Sequence, residues 1–381
     1  MEQVDFNAPA GWSWKKFKDV CVLKRGYDLP THARSAGDFP LYSANGVTDY
    51  IDQHKVEGPG VVTGRSGTIG KVHFVEGDYW PLNTALYVQK FNGNFPRFIK
   101  YFLESFDLTR FASGAAVPTL NRNSLSAELV CVPDSVDEQK RIVEKLDALL
   151  TRIDTAIEHL QESVTLADAL SKNGLSEIFE SLKDRYEAVP LSSVVKINSG
   201  IALPKLFKNG FSDGDIPFFK VAQMNNHYEN MVEPEITFNE TVAKEHKIKL
   251  FPKGSTLIPK RGGAILTNKK RMLLEDASYD SNIMGLKADE SKISDEYVFA
   301  FMRTIDLANF VDASTIPQVN NKHIDQMQIP LASIEEQADV VSRVNLLVKK
   351  VETMNSEIQR QLDDLQALKS SILDSAFKGE L

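Results

Sequence analysis

Residues 64–71, with the sequence GRSGTIGK, come closest to a nucleotide-binding loop. A phosphate-binding loop of the form GxxxxGKS or GxxxxGKT would have a glycine at position 65 and a Mg²⁺-binding hydroxyl at position 72. The chain has Arg65 and Val72 at these positions. We therefore interpret the segment as a glycine-rich turn between strands rather than as a nucleotide site.

The same segment places an arginine on a tight turn, and a second Arg-x-Gly-x-Ile pattern repeats this arrangement. The first pattern contains Arg65 and Gly67 and is followed by Lys71, and the second contains Arg261 and Gly263. An arginine held on a glycine turn can reach a phosphate oxygen or the O6 and N7 atoms of guanine. We predict that both turns contact DNA; the alternative is that the two arginines are solvated loop residues.

A cluster of cations surrounds the second turn. Residues 244–271 contain nine Lys or Arg and one Glu. A run of charges is more often a solvated face, but the near absence of acids here favours contact with phosphates. Residues 15–25 form a thinner basic stretch. The cations of the main cluster for which we predict phosphate contacts are Lys260, Lys269, Lys270 and Arg271.

The net charge of −8 does not exclude DNA, because the acidic residues are concentrated in two segments. Residues 134–184 carry 12 acidic and 6 basic side chains, and residues 333–381 carry 9 acidic and 6 basic ones, which leaves the remainder close to neutral. Screening confines the field of a surface charge to about 8–10 Å, so the local sign decides whether a surface binds DNA.

Several small polar residues near turns are further candidates. An Asn amide pairs with N6 and N7 of adenine, but an Asn near a turn more often caps the backbone. We favour the capping role for Asn83, Asn121, Asn282 and Asn320. The residues considered for contacts to phosphate oxygens are Ser113, Gly114, Ser314 and Thr315.

The sequence lacks the patterns that are typical of catalytic sites. The seven His form no HxxxH pair, no Ser lies in GxSxG, and no GxGxxG opens a βαβ unit. Cys21 and Cys131 have no zinc-like or disulfide-like spacing, which favours a reducing compartment. We find no export signal and no apolar run long enough to cross a membrane. We therefore predict a cytoplasmic, non-catalytic protein with no metal or cofactor of its own.

Two halves of the chain repeat the same order of features. No single match is specific, but the common order of the matches indicates an internal duplication. The offset between the halves grows between positions 47 and 58, so the second copy has a longer insertion there. The matched pairs include Gly26 with Gly200, Pro40 with Pro217, Arg65 with Arg261, Gly67 with Gly263, Pro118 with Pro317, and Pro133 with Pro330.

Each half ends in a segment that is typical of a long helix. Ser135 with Glu138, and Ser333 with Glu336, form capping boxes, in which the Ser hydroxyl accepts from the Glu N–H and the Glu carboxylate accepts from the Ser N–H. Apolar residues then recur at spacings of three and four over about 45 residues, which predicts a coiled-coil seam about 65–70 Å long. The seam residues include Leu146, Ile153, Leu160, Leu170, Val344, Val351, Met354 and Leu362.

The rest of the chain is predicted to form two mixed α+β domains. The segments 60–63, 85–89 and 255–258 are β-rich, and residues 96–103 and 295–303 suit short amphipathic helices. If the second long helix packs against the first, the pair must be antiparallel. The result would be a spacer with one domain at each end and a pseudo-two-fold repeat, suited to two half-sites on a duplex. The predicted boundaries are 1–133 and 185–332 for the domains, and 134–184 and 333–381 for the helical spacer.

Together these features resemble the specificity subunit of Type I restriction-modification systems over nearly the whole chain. The resemblance rests on residues 14–26, the two Gly-x-Ile turns, Pro133 followed by Glu138 and Gln139, and the closing segment 368–379. The paired capping boxes with their seams are its most specific part. It implies a DNA-binding subunit with two target-recognition domains that read a bipartite site on double-stranded DNA.

The resemblance also implies partners. The helices would dock two DNA adenine methyltransferase subunits, which use S-adenosylmethionine, and ATP-dependent restriction subunits could join. Because the family varies most in its recognition domains, the resemblance assigns no base-contacting residue by position.

Two other classes remain open on the residues alone. One is a coiled-coil adaptor whose globular domains bind protein, in which case any DNA binding would ignore sequence. The other is an enzyme with an unrecognised site, in which case replacing Arg65 and Arg261 would leave binding intact.

Overall fold

The computed structural model of the chain describes residues 8–114, 117–311 and 316–381. It divides into two units. The first unit comprises Met1–Glu162 and Gln359–Leu381, and the second comprises Ser163–Ile358. Two long helices cross the boundaries between these ranges, so each helix contributes one part to each unit.

The first unit builds three small sheets and a short hairpin-like pair around short helices. Its strands are β1 (Trp12–Lys16), β2 (Val22–Arg25), β3 (Ala36–Ser43), β4 (Gly46–Ile51), β5 (Gly60–Gly64), β6 (Val72–Val75), β7 (Trp80–Pro81), β8 (Ala85–Lys90), β9 (Ala112–Ser113), β10 (Thr119–Leu120) and β11 (Leu129–Pro133). Its helices are α1 (Phe17–Val20), α2 (Pro96–Ser105), α3 (Arg122–Ser126), the first part of α4 (Val136–Lys183) and the second part of α8 (Ile334–Phe377), with 3-10 turns at Thr31–Ala33 and Leu108–Phe111.

The second unit follows a closely related plan. Its strands are β12 (Ala188–Pro190), β13 (Val195–Ser199), β14 (Phe211–Asp213), β15 (Ile216–Phe219), β16 (Ile236–Phe238), β17 (Thr256–Pro259), β18 (Arg271–Met272), β19 (Ser278–Tyr279), β20 (Ile283–Ala288) and β21 (Gln328–Pro330). Its helices are the second part of α4, α5 (Glu240–Glu245), α6 (Asp295–Thr304), α7 (Asn321–Gln326) and the first part of α8. The 3-10 turns lie at Leu191–Ser193, Lys205–Phe207, Val221–Asn225, Gly262–Thr267 and Leu307–Phe310.

Both units build their main sheet from corresponding strands in the same order. The order is β2-β8-β5-β6 in the first unit and β13-β20-β17-β18 in the second, and neighbouring strands are antiparallel. Each unit also has a parallel pair in a second sheet, β3 with β7 and β15 with β19. A two-stranded ribbon precedes each long helix, β1 with β11 and β12 with β21. The predicted internal repeat and mixed α+β class are confirmed, as are the predicted strands and short helices.

One apolar face of a short helix packs against each main sheet. In α2 the buried residues include Phe98 and Phe102, and in α6 they include Tyr297 and Phe301. Residues four apart lie on one side of a helix, so each pair presents two rings to the same neighbours. The end of a long helix completes each core. The ring of Phe377 lies 5.3 Å from that of Phe98 in the first unit, and that of Phe179 lies 5.4 Å from Tyr297 in the second.

The long helices run antiparallel where they meet within each unit. In the first unit, Arg141 of α4 donates to the carbonyl of Leu381, and Lys369 of α8 donates to Asp154 at 2.7 Å. In the second unit, Arg185 pairs with Glu336 at 2.6 Å, and Asn355 donates to Asp168 at 3.1 Å. In both units, residues later in α4 meet residues earlier in α8.

Most of the seam named from the sequence is buried or half-buried, with two exceptions. Leu170 is 63% exposed and Met354 is 42% exposed, so their assignment to the seam is wrong. A helix with 3.6 residues per turn drifts away from a strict repeat of 3.5, so positions assigned by spacing leave the contact face over several turns. Leu175 and Phe179 are buried and continue the contact in the second unit.

Each predicted capping box forms only the first of its two hydrogen bonds, the one that the serine hydroxyl accepts. The N–H of Glu138 donates to the hydroxyl of Ser135 at 3.2 Å, and that of Glu336 donates to Ser333 at 3.3 Å. The glutamate carboxylates do not reach back to the serine; they accept from Arg141 at 2.7 Å and from Arg185 at 2.6 Å. A guanidinium is a stronger partner than a backbone N–H, and these bonds lower the pKa of both carboxyls.

A buried glutamine beside each cap ties the long helix to its globular domain. The side-chain oxygen of Gln139 accepts from the N–H of Phe95 at 2.8 Å, and its amide donates to the side chain of Asn94 at 2.7 Å. In the second unit the oxygen of Gln337 accepts from the N–H of Ser294 at 2.9 Å, and its amide donates to two backbone carbonyls. Both glutamines are 1% exposed. The start of each long helix is thereby fixed to the loop that leads into α2 or α6.

Candidate nucleic-acid interface

The first glycine turn is held at the end of the main sheet. The N–H of Arg65 donates to the carbonyl of Thr84 at 2.9 Å, and the carbonyl of Arg65 accepts from Leu120 at 2.9 Å. Gly67 then turns with a φ of 85°, and a side chain there would meet nothing within 4 Å. The turn therefore projects from the sheet, which confirms the interpretation of residues 64–71 as a glycine-rich turn.

The second turn repeats these bonds in a register that differs by one residue from the sequence alignment. The N–H of Lys260 donates to the carbonyl of Asn282 at 2.6 Å, and its carbonyl accepts from Val319 at 3.0 Å. Lys260, not Arg261, thus occupies the position of Arg65. The positive φ lies at Gly262, at 77°, where the first turn has Gly67. The predicted equivalence of Gly67 with Gly263 is therefore wrong, because an Arg-x-Gly match cannot reveal a one-residue difference in turn length.

Two members of the predicted cation cluster are buried. Lys270 is 7% exposed and donates to the side chain of Asn268 and the carbonyl of Ile305. Arg271 is 5% exposed and donates at 2.6 Å to the carbonyl of Tyr228. The predicted phosphate contacts of these two residues are therefore wrong, because both head groups bond to backbone carbonyls inside the second unit. Position in a run of charges did not reveal that Arg271 begins strand β18.

Burial gives Lys270 a measurable effect on stability. It lowers the pKa of the Lys270 amine to about 7, from an ordinary value of 10.5. Between these values the unfolded chain binds a proton that the folded chain does not. The free energy of unfolding should therefore rise with pH between 7 and 10, by at most about 1.4 kcal/mol per pH unit. Below pH 7 both states bind this proton, and the penalty for burying the charge is then fully present.

The test compares wild type with Lys270→Met by urea unfolding at several pH values from 7 to 10. We expect the difference in unfolding free energy between the two proteins to change with pH, in favour of wild type as the pH rises. Parallel pH profiles for the two proteins would show that Lys270 remains charged in the folded state.

The remaining predicted cations are accessible. Lys71 and Arg261 are exposed, and Arg65, Lys260 and Lys269 are half-buried. The side chain of Arg65 donates to the carbonyl of Asn83 at 3.0 Å, and Lys260 donates to the hydroxyl of Ser199 at 3.0 Å. Arg261 donates to the side chain of Gln318 at 3.4 Å, and Lys269 to that of Asn225. Because these partners carry no charge, the bonds do not neutralise the positive charges of the four side chains.

The asparagines have two different roles. Asn121 accepts from the N–H of Asn123 at 3.1 Å and Asn320 accepts from that of Lys322 at 3.0 Å, which confirms the capping role for both. Asn83 does not cap the backbone with its amide, which instead donates to the carboxylate of Asp28. Ser113 and Gly114 are exposed, whereas Ser314 and Thr315 lie outside the described residues.

Arg25 and Asp28 also lie at the first turn, although the sequence did not single them out as a site. Arg25 donates to Asp28 at 3.2 Å, and Asp28 accepts from Asn83 as well. A difference between the two copies of the repeat could have pointed to Arg25. Arg25 precedes the repeated glycine Gly26, whereas Ser199 precedes its match, Gly200.

Both halves of the chain match one protein family. A family model described as the Type I restriction modification DNA specificity domain matches the chain twice, over residues 9–166 and 183–363. The chain belongs to this family. Its members are the non-catalytic DNA-recognition components of type I restriction-modification systems. The family resemblance inferred from the sequence is therefore confirmed.

Curated specificity subunits are similar over most of the chain. A putative type I restriction enzyme specificity subunit of Haemophilus influenzae, S.HindORF215P, is 24% identical over 92% of this chain and 90% of its own length. The EcoKI specificity subunit of Escherichia coli is 22% identical over 76% of this chain and 66% of its own length.

Solved structures have the same fold. One chain, from a study of complex assembly and conformational transition of the type I R-M system, has a TM-score of 0.77 at 17% identity, covering 98% of this chain and 100% of its own. The HsdS subunit from Thermoanaerobacter tengcongensis has a TM-score of 0.54 at 18% identity, with 100% of both chains covered.

The described residues of this specificity subunit contain no helix that is long and apolar enough to cross a membrane. No group of three or more His, Cys, Asp or Glu among them is arranged to hold a metal ion. Cys21 and Cys131 are free thiols, and burial raises the pKa of Cys21 to about 12.

Proposed function

We propose that this specificity subunit recognises a bipartite site on double-stranded DNA, with one half-site read by each globular domain. The single observation that carries the proposal is the repetition of the main sheet with a projecting glycine turn at the same place in both units. In the first unit the turn holds Arg65, and in the second it holds Lys260 and Arg261. Cations on a projecting turn can approach the backbone and the base edges of a duplex.

The two domains in this proposal have the boundaries 1–133 and 185–332. The helical segments 134–184 and 333–381 form an antiparallel coiled-coil spacer that sets the separation of the half-sites. This assignment is supported by the antiparallel contacts within each unit and by the continuity of α4 and α8 across the unit boundaries. The unlike cations of the two turns favour two different half-site sequences.

The helices also provide the docking surface for partner subunits in this proposal. Two DNA adenine methyltransferase subunits and ATP-dependent restriction subunits would bind there, in the cytoplasm. The catalytic cofactors, S-adenosylmethionine and ATP, would be held by those partners. Exposed apolar side chains on the helices suit a protein partner, since an apolar contact gains from removal of water; they are Leu166, Leu170, Leu346, Met354 and Leu368.

A charge that contacts only phosphate should act on all sequences alike. We expect Lys71→Ala to weaken binding uniformly and to reduce the slope of log affinity against log salt by about 0.9. The measurement is a salt titration of binding to a cognate and an unrelated duplex. Lys270→Met is the matched control, since its side chain is buried, and we expect its slope to equal that of wild type. A slope unchanged by Lys71→Ala would remove Lys71 from the interface.

The proposal is tested by selection from a random duplex library with the full chain in complex with its methyltransferase. We expect two conserved blocks separated by a gap of constant length and free sequence. Binding that falls with salt but does not discriminate between sequences would favour a protein-binding adaptor instead.

A further inference from the structure

Four polar residues form one connected cluster at the projecting turn of the first unit, through side-chain bonds and one bond to a backbone carbonyl. Asp28 accepts from Arg25 through both carboxylate oxygens, at 3.2 and 3.4 Å. The amide of Asn83 donates to the same carboxylate. Arg65 donates to the backbone carbonyl of Asn83 at 3.0 Å, which ties its guanidinium to the same residue. We call these four residues, Arg25, Asp28, Asn83 and Arg65, the Asp28 cluster.

The Asp28 cluster contributes little to the stability of the fold. The side chains of Arg25 and Asp28 are 46% and 66% exposed, and a surface ion pair is worth only about 0–1 kcal/mol. Its bonds instead fix the orientation of groups that face solvent. Fixed donors and acceptors discriminate between ligands better than mobile ones do, because less entropy is lost on binding.

The chemistry of these groups matches the edges of base pairs. An arginine fork donates twice to O6 and N7 of guanine, and an asparagine amide pairs with N6 and N7 of adenine. The Asn83 amide uses one N–H on Asp28, which leaves its second N–H and its oxygen for a base. The bond to Asp28 also decides which way the amide faces, because a carboxylate accepts only from the N–H side.

The corresponding place in the second unit carries a different set of groups. Ser199 lies where the first unit has Arg25, and Lys260 lies where it has Arg65, and these two side chains bond to each other at 3.0 Å. Arg261 and Gln318 form an adjacent pair. The backbone of the turn is kept in both units, whereas the polar groups on it differ. This is the pattern expected where one scaffold presents two different sequence preferences.

We propose that the Asp28 cluster is the base-reading site of the first domain, with Arg65 and Asn83 contacting base edges in the major groove. Asp28 is a positioning residue that orients Arg25 and Asn83. The pairs Ser199–Lys260 and Arg261–Gln318 take the same place in the second domain. This inference rests on the proposed bipartite recognition and assigns it to particular side chains.

The test repeats the duplex-library selection, with the full chain and its methyltransferase, for Asn83→Ala, Arg65→Ala and Arg65→Lys. We expect Asn83→Ala and Arg65→Ala each to relax one or two positions of one block, with discrimination there falling roughly ten- to hundredfold. The other block should be unchanged, so it serves as an internal control for folding. Arg65→Lys should recover affinity but not discrimination, because it keeps the charge and loses the fork.

Two further variants distinguish residues that contact bases from residues that only position them. Asn123→Ala removes an exposed asparagine elsewhere in the same domain and should leave both blocks intact. Asp28→Asn keeps the size of the side chain and should relax the positions read through Asn83 without changing the melting temperature. If wild type selects two blocks and the Asn83 and Arg65 variants keep both, the assignment to this cluster fails while the bipartite function stands. If wild type selects no two-block motif, the proposed function itself fails.

Discussion

Phe179→Ala should destabilise the second unit by about 3–5 kcal/mol, the cost of removing a buried aromatic ring. The Phe179 side chain is 3% exposed, and its ring lies 5.4 Å from that of Tyr297 and 5.5 Å from that of Phe301. Its loss leaves a cavity between α4 and α6. We expect urea unfolding to show the loss, and hydrogen exchange to show weaker protection of residues 283–304.

Leu170→Ala is the matched control, because Leu170 lies on the same helix and is 63% exposed. We expect it to change stability by less than about 0.5 kcal/mol. Equal effects of Phe179→Ala and Leu170→Ala would mean that the end of α4 does not belong to the core of the second unit.

Gln337→Ala should cost about 2–4 kcal/mol, more than its small apolar area explains. The substitution removes the acceptor for the N–H of Ser294 and the donor to the carbonyls of Lys292 and Ala332. A buried polar group left without a partner costs about 1–3 kcal/mol. Gln139→Ala should have a similar effect in the first unit, through Phe95 and Asn94.

The neighbouring exposed residue provides the control for this prediction. Glu335 is exposed and lies two positions before Gln337 on the same helix turn. We expect Glu335→Ala to leave the free energy of unfolding nearly unchanged. Thermal or urea unfolding of the two variants measures the difference. If Gln337→Ala were as mild as Glu335→Ala, water would have to replace all three bonds, and the helix would not be fixed through this side chain.

The repeat and the class of fold could be predicted from the sequence because both depend on ordered patterns. The glycines and prolines of the turns recur in order, and the apolar spacing of the long helices extends over many turns. Even in the long helices, the prediction of buried positions failed in places, because Leu170 and Met354 fit the spacing but face solvent. A periodic pattern specifies a helix more reliably than it specifies which face of a long helix is buried.

The candidate site was harder to predict because exposure depends on tertiary packing. Lys270 and Arg271 stand in the same cation run as Lys269, yet the packing of strand β18 buries them and leaves Lys269 accessible. The Asp28 cluster joins Asp28 to Asn83, which are 55 positions apart in the sequence. Only the sheet that joins β2, β8 and β5 places them side by side.

The buried glutamines show a signal that the sequence did contain. Gln139 and Gln337 follow the two capping serines at the same distance in both copies. Their spacing from the serines does not show that the side chains are buried or which groups they bond. A polar residue repeated at an equivalent position in both halves was a candidate for a shared structural bond.

The most direct test of two-part recognition is a map of N6-methyladenine across the genome of cells that carry this subunit with the adenine methyltransferase proposed as its partner. We expect the methylated adenines that depend on this chain to lie in one motif of two specified blocks, separated by a gap of fixed length. Methylation at a single continuous motif, or a pattern that does not change when the chain is deleted, would contradict recognition of one half-site by each domain.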